Sequence, residues 1–170
     1  MTLCPAEVNY GIRFRRLDLP GTPVIKADVS NVTTTLRGTT IRQGDAHVST
    51  VEHLMAALFG LGVDNVLVDI NGPEVPILDG SAIEFVKMVG NAGIVELEDE
   101  KEVFEIKEPL RYKDEKTGAE LVALPCEKME LTTLIDFNSK VLGQQYACLD
   151  NLEDFSSQIA PCRTFVFLHE

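Results

Sequence analysis

The sequence has no apolar run approaching the roughly 20 residues that a bilayer-crossing helix needs, so no transmembrane segment is expected. Its first residues, Met1-Thr2-Leu3-Cys4-Pro5, lack the basic stretch and apolar core of a secretory signal. The cysteines at 4, 126, 148 and 162 form no C-x-x-C pair. That spacing excludes a zinc ribbon or a thioredoxin-like motif and fits reduced thiols in a cytoplasmic protein. The helix-borne zinc motif H-E-x-x-H is absent as well. Basic residues are few: 15 lysines and arginines against 27 acidic residues leave a formal charge of -12. Such a surface repels phosphate backbones, so nucleic acid is not expected as a partner, although one local basic pocket for a nucleotide diphosphate is compatible with it. There is no internal repeat and no low-complexity tract.

What is present is 170 residues, 45% of them hydrophobic, enough for one good core or two small ones. Val8, Tyr10, Ile12 and Phe14 alternate as one face of a strand over residues 8–15. Residues 24–29 and the threonine-rich run 33–41 also read as β, because β-branched side chains suit a pleated surface. The period then changes. Val51, Leu54, Met55 and Leu58 follow the i, i+3, i+4, i+7 pattern of an amphipathic helix, which Gly60 and Gly62 end. A strand over 65–70, a proline-rich loop over 72–76 and a second helix over 81–92 come next. Beyond the charged stretch 96–101, strands are predicted at 103–108, 119–125 and 129–136, with a polar turn at 113–118 between the first two. A short helix near 152–159 and a strand or loop near 163–167 complete the chain. The fold class is α+β, with a first domain over 1–97, a linker over 98–102 and a second domain over 103–170.

Three segments carry polar groups suited to chemistry. In Ser49-Thr50-Val51-Glu52-His53, Glu52 and His53 project away from the apolar stripe of the helix, with the small Ala56 and Ala57 on the following turn. A carboxylate beside an imidazole at a helix start can supply a general base and a metal ligand. The same residues also read as a capping box, Ser49-x-x-Glu52, in which Glu52 only satisfies a backbone amide. In Pro73 to Ala82, two prolines stiffen an extended approach, and Asp79-Gly80 or Ser81 can turn and cap the next helix. In Cys162-Arg163-Thr164-Phe165, a hydroxyl and a cation lie beside an aromatic ring. His47 and His169 are metal ligands by residue type only and read as surface residues.

Taken together, these segments resemble a known family. Residues 48–58, VSTVEHLMAAL, followed by Gly60-Leu61-Gly62-Val63-Asp64-Asn65, are similar to the hallmark of the UDP-3-O-acyl-N-acetylglucosamine deacetylases of lipid A synthesis. PEVPILDGSA at 73–82 is similar to their second hallmark, and Arg163-Thr164-Phe165 stands where they carry Ala-Arg-Thr-Phe, with Cys162 in place of the alanine. The resemblance implies zinc-dependent hydrolysis of the acetamide of UDP-3-O-(3-hydroxyacyl)-N-acetylglucosamine, releasing acetate. By that match His53 is a zinc ligand, Glu52 the general base, and Thr164 a hydrogen-bond donor to the oxyanion. Leu36 and Phe165 are placed near the substrate and Phe137 on the uridine side, although the family's His-Pro after that position is replaced by Ser139-Lys140. Asp79, with Ser81, is placed as support for the loop. The fold implied is a layered sandwich of two similar β-α-α-β units with zinc between them. The first unit is expected to lack its start and the second its end, with the other zinc ligands and a catalytic Lys and His beyond Glu170. The chain alone is then expected to be inactive. Some members of the family are fused to a 3-hydroxyacyl-carrier-protein dehydratase. Two alternatives stand beside the enzyme: a non-catalytic scaffold or assembly module with the same fold, and a different metal hydrolase using His47, His53 and His169.

Overall fold

The structure is a computed structural model that describes residues 1–166. It is mixed α and β, in line with the α+β expectation, and divides into two compact units. The first comprises residues 1–99 together with the segment from Glu153 onward, and the second comprises Glu100–Leu152. The last described segment thus groups with the first unit, whereas the sequence reading places it in the second.

The first unit is built on a four-stranded sheet of β1 (Thr2–Pro5), β7 (Val66–Ile70), β2 (Ile12–Arg16) and β3 (Val24–Lys26), in that spatial order. β2 runs parallel to β7, while β1 and β3 run antiparallel to their neighbours. The period-2 pattern fixes the faces. Phe14 stands opposite both Val68 and Ile25, and all three are fully buried. On the other face Arg15 stands opposite Asp69 and forms a two-pronged ion pair with it, both contacts at 2.7 Å. β2 is shorter than the alternation from Val8 suggests. Residues 8 and 9 form a turn, with Asn9 at φ 59°, so Val8 and Tyr10 lie outside the strand.

A second sheet of three antiparallel strands contains β4 (Val32–Thr34), β5 (Thr40–Gln43) and β6 (Ala46–Val48). The expected run 33–41 is therefore broken by a loop over 35–39. The turn between β5 and β6 is Gly44-Asp45, with Gly44 at φ 61°, the left-handed start that a two-residue hairpin turn requires. Arg16, 4% exposed, joins the two sheets: it pairs with Asp18 and donates at 2.6 Å to the carbonyl of His47 on β6.

Two helices pack together on this scaffold, α1 (Glu52–Gly60) and α2 (Ile83–Ala92). α1 ends in a Schellman arrangement in which the Val63 amide reaches the Leu58 carbonyl and the Gly62 amide the Phe59 carbonyl, with Gly62 at φ 70°. Its buried stripe is Val51, Leu54, Ala57 and Leu58. Ala57, read from the sequence as a small residue on the turn after Glu52 and His53 and away from the apolar stripe, is fully buried within that stripe, and Met55 is only half-buried. The short α3 (Phe155–Gln158) also packs on α1, its Phe155 ring lying over the bare Cα of Gly60.

The second unit holds two separate antiparallel pairs, β8 (Leu110–Lys113) with β9 (Glu120–Ala123) and β10 (Leu131–Asp136) with β11 (Gln144–Leu149). The expected polar turn closes the first pair, where Asp114 accepts the Lys116 amide and the Thr117 hydroxyl. The expected strand at 103–108 is not formed; pairing begins at Leu110. Among the described residues of this unit there is no α-helix.

Candidate functional site

The start of α1 is fixed from three directions. β6 delivers the chain to Ser49, whose backbone is held on both sides by the 72–76 loop. The Ser49 amide donates to the Pro73 carbonyl at 2.8 Å, and the Val75 amide donates to the Ser49 carbonyl at 3.0 Å. This makes a short parallel bridge between Ser49 and Glu74. The chain then turns through Thr50 at φ 57°, an outlying conformation for a β-branched residue, and enters the helix at Glu52.

The two readings of Glu52 separate on this geometry. Ser49 makes no capping bond to α1; its hydroxyl accepts instead from Thr40 at 3.0 Å. Glu52 does not close a box with Ser49 either. Its Oε2 accepts the amide of Thr39 at 2.9 Å, in the loop before β5, while its Oε1 faces the Cα of Gly38. The carboxylate is therefore bonded through one oxygen to a neighbouring loop and not to its own helix, which overturns the capping box. Glu52 and His53 are both half-buried.

The second and third segments meet. Asp79 accepts the Ser81 amide at 3.1 Å and the Ser81 hydroxyl at 2.7 Å, and its second oxygen faces the Arg163 guanidinium at 3.4 Å. The Ser81 hydroxyl, then its amide and Arg163, hold the Asp79 carboxyl below the usual carboxylate range. Ser81 is fully buried and its hydroxyl accepts the amide of Ile83, the first residue of α2, while the N-cap position itself is Ala82 and carries no side-chain capping bond. The Thr164 amide donates to the Gly80 carbonyl at 2.8 Å, and Gly80, at φ 81°, carries its open side against the Thr164 methyl. Asp79 is thus bonded both to Ser81 within its own loop and to Arg163, the neighbour of Thr164.

Other candidates sit more loosely. Leu36 is 86% exposed in the 35–39 loop, which also supplies the Thr39 amide to Glu52. Phe165 is 57% exposed in the last described segment. Phe137 is half-buried in the second unit, its amide donating to Gly143 beyond the end of β10. His47 is a half-buried β6 residue, and His169 lies outside the described residues, as does Phe167. Among the described residues no three His, Cys, Asp or Glu side chains gather as a metal-binding group. A catalytic zinc takes three protein ligands, so these residues by themselves do not build its site.

Two partners escaped the sequence reading. Thr39 acts through a backbone amide, which any residue offers and no side-chain pattern reveals. Glu74 accepts the Thr50 hydroxyl at 2.7 Å; its place between Pro73 and Pro76 was the available signal.

Comparison with known proteins bears on the whole chain. A family model described as UDP-3-O-acyl N-acetylglycosamine deacetylase matches residues 1–170. A protein of Porphyromonas gingivalis named bifunctional enzyme LpxC/FabZ is 45% identical over 170 residues, covering all of this chain and 37% of that protein. Proteins named UDP-3-O-acyl-N-acetylglucosamine deacetylase from Geotalea uraniireducens and Methylococcus capsulatus are 41% and 42% identical, covering all of this chain and 55% and 56% of theirs. The chain thus spans about half the length of these deacetylases or less of the bifunctional relative.

Proposed function

This chain belongs to the UDP-3-O-acyl N-acetylglycosamine deacetylase family, and from that premise we propose that its protein hydrolyses the N-acetyl group of UDP-3-O-(3-hydroxyacyl)-N-acetylglucosamine, releasing acetate, in lipid A synthesis. The observation that carries the proposal is the placement of Glu52. Its carboxylate stands clear of its own helix, held at one oxygen by the Thr39 amide, with His53 next to it. A carboxylate so held has a lone pair free to take the proton of an attacking water. Thr164, on a segment anchored by Gly80 and Asp79, is assigned to the oxygen of the tetrahedral intermediate. Leu36 and Phe165 are assigned to the substrate and Phe137 to the uridine side.

Zinc is proposed as the cofactor, with His53 as the ligand from this chain; when bound, it polarises a carbonyl and makes water more acidic. With one assigned ligand among the described residues, the 170-residue chain alone is expected to be inactive and to lose added zinc on dialysis. For the complete protein we propose the layered sandwich of two β-α-α-β units. A cytoplasmic location is proposed too; no helix among the described residues is long and apolar enough to cross a membrane. Likeness to proteins named LpxC/FabZ supports fusion to a 3-hydroxyacyl-carrier-protein dehydratase as the arrangement to look for.

Glu52→Gln tests the reading. The amide oxygen still accepts from Thr39 but cannot take a proton. Turnover by the protein at the full length of its relatives should fall by ~10²–10⁴ with folding unchanged. Full turnover in this variant returns Glu52 to a structural role, whereas no turnover in the wild-type protein favours the non-catalytic scaffold.

A further inference from the structure

We propose that Glu74 is a positioning residue for Glu52, acting through the hydroxyl of Thr50. The proposal rests on the reading of Glu52 as the base. Glu74 is itself held in place: Pro73 and Pro76 restrict the backbone around it, and the bonds from Ser49 to Pro73 and from Val75 to Ser49 bracket it. Val75, the next residue, is fully buried. The Glu74 carboxylate is thereby presented to Thr50, accepting its hydroxyl at 2.7 Å.

Thr50 is the residue that needs holding. A branched side chain at φ 57° is strained, and such strain persists only where the surroundings over-determine it. The hydrogen bond to Glu74 and the Val51 amide's bond to the Thr39 carbonyl supply that constraint on either side of the turn. The turn decides where Glu52 emerges, two residues later. The Thr50 hydroxyl and Glu52 Oε1 would each lie 3.4 Å from a Cβ built on Gly38, so both face one patch of backbone in the 35–39 loop. Glu52 Oε2 meets the next amide of that loop. If Thr50 relaxes from its left-handed conformation, the first turn of α1 swings and Glu52 leaves the Thr39 amide.

The same set of variants is read in two ways. In the 170-residue chain, hydrogen exchange of the Thr39 amide reports whether Glu52 is in place. In the protein at the full length of its relatives, kcat and KM for the UDP-sugar report the consequence. Glu74→Ala should speed Thr39 exchange about tenfold and lower kcat about 10²-fold at unchanged KM. Glu74→Gln keeps an accepting oxygen and Thr50→Ser keeps the hydroxyl, so both should restore both readings. Thr50→Gly accepts the turn without strain, so Glu74→Ala made on that background should keep wild-type exchange and kcat. A rescue that depends on the strain at residue 50 is one that a merely structural contact of Glu74 would not give. Wild-type exchange and kcat in Glu74→Ala beside an inactive Glu52→Gln overturns the positioning role alone. An active Glu52→Gln overturns the reading of the base, and the positioning role with it. If Glu74→Ala does not fold, Thr50→Val, which keeps the branched side chain and loses the hydroxyl, takes its place beside Thr50→Ser by the same criteria.

Discussion

The strands of residues 1–99 and those of 100–152 use similar apolar residues, but they bury them very differently. On β7, Val66, Val68 and Ile70 point one way and are buried, while Leu67 and Asp69 point the other. On β10, Leu131 and Ile135 share one face and Leu134 takes the opposite one, and every residue of the strand is exposed. Of the second unit's strand residues only Leu149 is buried among those described. The difference teaches that turn chemistry and β-propensity suffice to pair two strands, whereas a core needs a second layer to close on. In the first unit α1, α2 and the β4–β6 sheet provide it.

The sharpest way to break this contrast is to truncate one apolar residue in each unit. Phe14 is fully buried against Val68 and Ile25, so Phe14→Ala should cost about 3–5 kcal/mol, a large part of a domain's stability. Leu134 is 65% exposed, and Leu134→Ala should stay within about 0.5 kcal/mol. Denaturant melts of the two variants, followed by far-UV circular dichroism, make the measurement. Similar losses in both would mean that the second unit has a core of its own.

A smaller effect is expected at Gly60. A methyl group there would sit well inside van der Waals contact with the Phe155 ring, so the ring has to move. Gly60→Ala should cost about 1–3 kcal/mol as overpacking, even though alanine is the better helix former. Because Phe155 begins the segment that carries Arg163 and Thr164, amide exchange at Thr164 should rise along with it. Unchanged stability would show that α3 contributes little to the first unit's packing.

The first unit was also the more legible of the two, for related reasons. β7, α1 and α2 could be read because burial imposes a period on their sequences, of two or of 3.6. β1, β6, β8 and β11 were missed, with a strand expected at 103–108 in place of β8. β1 and β6 are short, four and three residues, which is too little for a period to emerge. The Gly44-Asp45 turn was the cue to β6. β11 has six residues but shows no alternation, since four of them are exposed in succession. Around the site, the motif segments were legible as segments, and the meeting of Asp79 with Arg163 was not. Those two lie 84 positions apart, and nothing local encodes their contact. Glu52 shows the limit most clearly. Its spacing from Ser49 fits a cap, and only the return of the 35–39 loop gives its carboxylate a different partner.

The smallest effect is electrostatic and separates the units by how their ion pairs are sheltered. Asp69 meets Arg15 through two 2.7 Å contacts on the outer face of the first sheet, with 14% of its side chain exposed. In the second unit Arg111 and Glu120 also pair, with 68% and 37% of their side chains in solvent. The hydrogen bond from Arg15 holds the Asp69 carboxyl below its ordinary value of 3.8, outweighing the opposing effect of burial. As pH falls toward that value, the unfolded chain takes up the proton before the folded one does. The pair's stabilisation is therefore complete above about pH 4–5 and is lost as pH drops through the lower, folded value. Asp69→Asn removes the charge at every pH. It should melt below wild type near neutrality, and the two curves should converge in acid. Glu120→Gln should follow wild type within about 0.5 kcal/mol near neutrality, since exposed pairs contribute little. Melting temperatures measured from pH 7 down to pH 2 at low salt test both. A constant gap between Asp69→Asn and wild type across that range would mean that the asparagine disturbs packing, and that the sheltered pair is no more than its exposed counterpart.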